Sequence, residues 1–257
     1  MRYAKGTFSL SASRDIPLLL RVRNSRFVSH QQLFELLTLS ALEYSRQSFN
    51  WRVQRLIAGN YLEICSGEFG HGSSVYRITR GGLAQLENYG HFATTFNSKT
   101  PHLPHISQAH HALELVAIEL ELARNKVLVS WKSDLETASL NVISEQPFVK
   151  DYDAVVDVWN DQTAARFAVE YERTLKSAQQ YERIRRVLEK EDTVGCILYL
   201  TAGEEISLHL ARELAGIPKR LAFATSIAFR TKLLDTLVTL YPGQPQVTFR
   251  TQLHGVF

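Results

Sequence analysis

Two cysteines, Cys65 and Cys196, are all the chain carries, and each sits inside an apolar pattern. That excludes a disulfide framework and predicts buried free thiols in a reducing, cytoplasmic setting. No apolar run reaches transmembrane length, so no membrane association is expected. The start, MRYAKGTFSLSASRD, has no continuous apolar stretch of the kind that opens a secretory leader. There is no low-complexity tract and no internal repeat. No Gly-rich phosphate loop follows any predicted strand, since Gly195 and Gly203 stand alone, which disfavours a nucleotide-binding Rossmann or P-loop domain. A G-x-S-x-G elbow and a close zinc-ligand cluster are absent as well.

What is present is the composition of an ordinary folded domain, 45% hydrophobic and 21% charged over 257 residues. That length suits one large domain or two smaller ones. The formal charge of +3 is unevenly placed. Residues 1–90 hold 11 Lys/Arg against 6 Asp/Glu, and the remainder holds 18 against 20. A positive front on a near-neutral rear predicts that a polyanion is met by the front third.

The front third predicts three helices in succession. Asp15 to Arg23 presents Leu18, Leu19 and Val22. Ser29 caps a helix to Leu39 through Leu33, Leu36 and Leu37. The third spans Ser45 to Ala58 and is stopped by Gly59-Asn60, with Phe49, Val53, Leu56 and Ile57 inward. At about 100 degrees per residue, Gln47, Trp51, Gln54 and Arg55 point away from that stripe and Asn50 lies on its flank. Arg46 and Arg52 are candidates for phosphate contact on the same helix. Outward polar and cationic side chains on the third helix of a trihelical unit suit major-groove reading.

Tyr61 to Ser66 and Ser74 to Ile78 then read as strands around a turn holding Gly67, Gly70, His71 and Gly72, with Arg77 and Arg80 close behind. A helix follows from Gly81 to Tyr89. The stretch NYLEI...SVYRITRGGLAQLENYG resembles the end of the winged helix-turn-helix class, in which a wing returns through Y-x-(I/L)-T to a last helix. The resemblance implies a DNA-binding domain over 1–90; a winged helix used for dimerisation or packing is the other reading. Residues 91–107, with two prolines and no periodicity, read as a linker whose His91, His102 and His105 are surface residues.

Residues 108–257 predict an α/β domain with a mixed sheet. Gln108 to Arg124 is a helix apolar over much of its circumference, and His110 and Glu114 form an i,i+4 pair on it. Val127 to Trp131 is a strand, Lys176 to Glu189 a helix and Val194 to Leu200 a buried strand. Then come a helix Glu205 to Ala215, a strand Leu221 to Ala224, a helix Ile227 to Thr239 and a last strand Val247 to Arg250. Leu233, Leu234, Leu237 and Leu240 offer a homodimer interface or, equally, an internal core face.

The stretch YDAVVDVWNDQTAARFAVEYERTLK, residues 152–176, reads as a hairpin turning at Asn160-Asp161-Gln162. Asp153 opens its first strand. Glu170 and Glu172 share one face of the second, with Phe167, Val169 and Tyr171 on the other. Such carboxylates suit a divalent cation, or simply a solvated strand face.

Helix, strand, an acid opening one strand and an acid pair in the next, then a helix, resembles the restriction-endonuclease-like PD-(D/E)xK core. Tyr152-Asp153 stands where Pro-Asp would, and Glu170-Tyr171-Glu172 where (D/E)-x-K would. Glu114 or Glu121 matches the acid of the first helix. Over residues 12–200 the chain resembles the replication-relaxation proteins of plasmids and mobile elements, in which a winged helix precedes a nuclease-like domain marked E-x-D-R-(G)-T. Here Glu170, Glu172, Arg173 and Thr174 match, followed by a helix containing Tyr181.

The resemblance implies Asp153 and Glu170 as ligands of a Mg²⁺ ion, and Asp153, Glu170, Glu172 and Lys176 as the catalytic set. The chain departs from the family pattern where Glu172 replaces the lysine. Arg173 falls on the opposite strand face, and Lys176 has to reach back from beyond the strand. The expected function is therefore a double-stranded-DNA-binding regulator or accessory factor, working with plasmid replication or transfer proteins, whose nuclease-like domain does not cut. An active metal-dependent endonuclease and a non-enzymatic assembly protein are the alternatives.

Overall fold

The computed structural model describes residues 9–67, 74–92, 105–145 and 147–254. These residues divide into two compact units, with the boundary between Val116 and Ala117. The fold is α/β, with a mixed five-stranded sheet in the second unit. No described helix is long and apolar enough to cross a membrane.

In the first unit the order is α1 (Asp15–Ser25), β1 (Val28–Ser29), α2 (His30–Leu39), α3 (Arg46–Ala58), β2 (Leu62–Cys65), β3 (Val75–Ile78) and α4 (Arg80–Asn88). Local chemistry sets the helix starts. The Ser29 hydroxyl accepts from the Gln32 amide, while the Gln32 side chain accepts from the Ser29 amide, closing a capping box on α2. Ser45 caps α3 through the Ser48 amide, and Thr79 caps α4 through the Gly82 amide. Gly59 ends α3, and Asn60 follows at a φ of 57°.

Both β1 and β2 pair antiparallel with β3, giving the order β1-β3-β2. The apolar faces of the helices meet at Leu19, Val22, Leu33, Phe49, Leu56 and Leu86, all fully buried. α4 lies so close to the sheet that a Cβ on Gly82 would sit 2.3 Å from the Tyr61 carbonyl oxygen. Gly70, His71 and Gly72 of the expected wing turn lie outside the described residues, as does much of the expected linker.

α5 (Ala109–Arg124) holds the unit boundary. On the first unit's side, Ala109 and Ala112 cluster with Phe27 and Val75. The Gln32 amide also donates to the Leu113 carbonyl at 2.8 Å. The second unit continues with β4 (Leu128–Ser133), α6 (Asp134–Ile143), β5 (Ala154–Asn160), β6 (Thr163–Glu172), α7 (Ala178–Leu188), β7 (Cys196–Thr201), α8 (Glu204–Glu213) and β8 (Arg220–Thr225). The sheet order is β4-β5-β6-β7-β8; the first three strands are antiparallel and the last three parallel. The expected hairpin is present, turning at Asn160–Thr163 with Asp161 at a φ of 57°. One sheet face packs Tyr152, Val155, Ala168, Ile197 and Tyr199 with Tyr181 and Leu188 of α7 and Leu210 of α8.

Two expected elements change. The helix expected over 227–239 stops early: α9 (Ser226–Lys232) ends where Leu233 takes a φ of 49°, followed by a short 3-10 turn and β9 (Leu237–Val238). Leu234 is buried, so the leucines expected to form a dimer interface do not share one helix face. The last strand is only β10 (Val247–Thr248), and Thr248 caps α10 (Phe249–Leu253), which inserts Phe249 against Phe167 and Phe229.

Candidate functional site

Helix α3 owes its position to charge as much as to apolar packing. Arg52, expected as a phosphate contact, is only 6% exposed. Its guanidinium donates to Asp15 at 2.9 Å and to Glu43 at 3.4 Å, both carboxylates being buried. Arg55, expected to point outward, also pairs with Asp15, and Arg14 pairs with Glu43 at 2.8 Å. Arg55 lies over the Trp51 ring at 4.9 Å. These arginines fasten α3 to α1 and to the turn before α3. Arg52 is therefore withdrawn from the DNA-contact set, and Arg55 is held in a structural pair.

The remaining face of α3 is open. Gln47, Trp51 and Gln54 are exposed, Trp51 at 52%. Arg46, at the first turn, is exposed, lies over the Phe34 ring at 4.3 Å and bonds to Gln31. Asn50 is exposed, with its side-chain oxygen 3.0 Å from His30 Nε2. Arg77 on β3 pairs with Glu63 on β2, which compensates its charge, while Arg80 is exposed. One helix face thus presents amides, an indole and a cation with few apolar neighbours, an arrangement suited to base edges and phosphates.

The second cluster sits where β5 begins and β6 ends. Ala154 pairs with Val169, so Asp153 enters beside Glu170. An Asp153 oxygen accepts the Tyr171 amide at 2.8 Å. Glu170 and Glu172 are 6% and 8% exposed. Glu170 Oε2 lies 2.7 Å from Lys150 Nζ, and Lys176 pairs with Glu172. The Lys176 amide donates to the Tyr181 hydroxyl at 3.0 Å, which fixes the turn that brings the lysine back. Arg173 is exposed.

The expectation of a carboxylate cluster without a lysine is thus corrected: two lysines meet it. Lys150 was missed because the family pattern directs attention to the residue after the acid, whereas this cation comes from the turn before β5. Its sequence signal is the run Lys150-Asp151-Tyr152-Asp153.

Burial pushes the Glu170 carboxyl above its ordinary range. The Asp153 charge adds to that, and Lys150 and Lys176 oppose it. Burial also holds Lys176 below the ordinary lysine value, with Lys150 contributing in the same direction. Glu170 Oε1 is buried without a hydrogen-bond partner, and so is the hydroxyl of Tyr199, the register partner of Glu170 on β7. Burial, then the charges of Glu170 and Asp153, hold the Tyr199 phenol well above its ordinary value.

Among the described residues no group of three or more His, Cys, Asp or Glu side chains is arranged to hold a metal ion. Asp153 and Glu170 suit a Mg²⁺ that keeps most of its ligands as water or phosphate, since one or two carboxylates are its usual protein share. The orphaned Glu170 Oε1 is the oxygen that would reach it. Glu121, a candidate acid of the first helix, pairs with Arg124 on its own helix instead. Comparison of the chain with protein-family models, curated proteins and solved structures gives no match.

Proposed function

We propose that the protein is a sequence-specific duplex-DNA-binding regulator or accessory factor, of the kind its resemblance to the replication-relaxation proteins implies. The first unit acts as a winged helix and α3 as its reading helix. The observation that carries this is the open face of α3, where Gln47, Trp51 and Gln54 are exposed while the buried arginines hold the helix from behind. Arg46 and Arg80 are the exposed cations left to meet phosphate. The order β1-β3-β2 after a helix, strand, helix, helix sequence supports the same reading.

Selection of duplexes from a random pool by the full chain tests it. Recovery of a defined sequence, lost in Gln47→Ala and Gln54→Ala, is the expected result. Recovery of no sequence, with no salt-sensitive binding at low ionic strength, removes the proposal.

A second reading, metal-dependent phosphodiester cleavage at the sheet edge, gains support from Lys150. The amine beside Glu170 lies where positive charge can oppose that building on phosphoryl oxygens. A Mg²⁺ held by Asp153 and Glu170 would supply phosphate polarisation and an activated water. Lys176, held by Glu172, is the second cation at the site. Nicking of supercoiled plasmid with Mg²⁺ or Mn²⁺, abolished in Asp153→Ala, Glu170→Ala and Lys150→Met, would establish cleavage. Equal inactivity of all four proteins, with DNA binding intact, would leave the second unit as a nuclease-shaped scaffold.

A further inference from the structure

A hydrogen-bonded chain runs from β3 to the open face of α3 through His30. The Ser74 side chain donates to the Tyr76 hydroxyl, since that bond favours the ionised phenol. Tyr76 Oη lies 2.9 Å from His30 Nδ1, and His30 Nε2 lies 3.0 Å from Asn50 Oδ1. The His30 amide also donates to the Ser74 carbonyl at 2.8 Å. The imidazole is clamped between rings, with centroids 4.8 Å from Phe49 and 5.8 Å from Tyr76, so it cannot swing away to release either partner.

The directions of these bonds follow from inventory. An amide oxygen only accepts, so His30 Nε2 must carry the proton that reaches Asn50. In a neutral ring Nδ1 is then an acceptor and takes the Tyr76 proton, while Tyr76 Oη accepts from Ser74. Burial holds the His30 imidazole below its ordinary value and Arg46 adds to that, outweighing the bond to Asn50, so the ring is neutral near pH 7. Every donor in the chain is used once, and only one tautomer satisfies it.

The consequence falls on Asn50. A free asparagine amide reads adenine by accepting from N6 and donating to N7. Here the accepting half is occupied, and Asn50 presents only the two hydrogens of Nδ2 at the exposed face. In the major groove, guanine offers two adjacent acceptors, N7 and O6, whereas adenine sets an N6 donor against such a group.

Resting on the duplex-DNA reading above, we infer that His30 is a specificity-determining residue: it locks Asn50 as a donor-only amide that selects guanine over adenine at one position. His30 touches no base; it positions the residue that does. Because Ser74 and Tyr76 belong to the strand that leaves the expected wing turn, the same chain ties the register of that strand to the reading helix.

The test begins with the sequence selected by the full-length protein. Each guanine in it is replaced in turn by adenine or by 7-deazaguanine, which lacks the N7 acceptor. The wild type is expected to lose roughly tenfold in affinity at one guanine on either replacement. Asn50→Ala, a change at an exposed position, keeps residual binding and loses that discrimination. His30→Ala frees Asn50 Oδ1 and binds the adenine duplex as well as the guanine one. Tyr76→Phe keeps the ring and removes the proton that pins Nδ1, so ¹⁵N imidazole shifts are expected to change from a single Nε2–H form to a mixture of tautomers. Circular dichroism establishes that each variant is folded. A selected sequence whose base preferences are unchanged in Asn50→Ala and His30→Ala overturns this inference and leaves duplex binding standing. Failure to select any duplex removes both.

Discussion

Arg52 is the side chain on which the placement of α3 depends most. Its guanidinium is buried between Asp15, at 0% exposure, and Glu43, at 2%. Arg52→Met keeps the apolar stem and deletes the charge. Removing one partner of a buried ion pair destabilises by about 3–5 kcal/mol, because a desolvated charge is left behind. Here Asp15 keeps Arg55 and Glu43 keeps Arg14, so the lower end applies, about 3 kcal/mol.

Amide hydrogen exchange of α3 reads this directly. At about 1.4 kcal/mol per decade, opening of the α3 amides should rise roughly a hundredfold. Adding Asp15→Asn and Glu43→Gln should recover much of the loss, since neutral partners need no buried cation. Because Arg52 faces inward, Arg52→Met should leave the salt slope of DNA binding unchanged, whereas Arg46→Ala should reduce it by about 0.9. Less than a tenfold change in exchange, or no recovery in the triple variant, would refute the reasoning.

Gly82→Ala should cost roughly 1–3 kcal/mol, read as a lower melting temperature, because the added carbon meets the Tyr61 carbonyl oxygen at 2.3 Å and Ile78 Cγ1 at 2.6 Å. Lys150→Met should raise the Glu170 carboxyl pKa further, measured by ¹³C NMR, since Lys150 is the largest influence opposing burial. Burial pushes the Glu191 carboxyl up, but bonds from Thr193, the Tyr152 hydroxyl at 2.6 Å and Val149 prevail and hold it below its ordinary value. A depressed folded-state pKa stabilises above the unfolded value and is lost as pH falls. The wild type should therefore lose urea resistance more steeply than Glu191→Gln as pH drops below about 4.3.

What could be read in advance was what local chemistry dictates. Ser29, Ser45 and Thr79 name their own helices, and Asn160-Asp161-Gln162 names the hairpin. β1 could not be read: it is two residues long and exists only through pairing with β3, 46 to 48 positions along the chain. α6 was missed although Ser133 and Glu136 spell a capping box. The leucines at 233, 234, 237 and 240 suggested a longer helix, but periodicity does not register the left-handed turn at Leu233.

Arg52 lies three residues after Phe49 and four before Leu56, on the inward stripe by its angle alone. Its charge suggested otherwise, because its partners Asp15 and Glu43 are 37 and 9 residues distant. The carboxylates of the sheet edge followed from strand alternation. Lys150 did not, since it arrives from an irregular turn.

The central claim is that the open face of α3 reads duplex DNA. Fluorescence anisotropy of the selected duplex, titrated with wild type and with the Gln47→Ala/Gln54→Ala double variant over a range of salt, tests it most directly. The account predicts that the variant binds at least about tenfold more weakly to the selected duplex, with unchanged non-specific affinity and salt slope. Equal affinity of the two proteins, or no binding of the wild type at low salt, would contradict it.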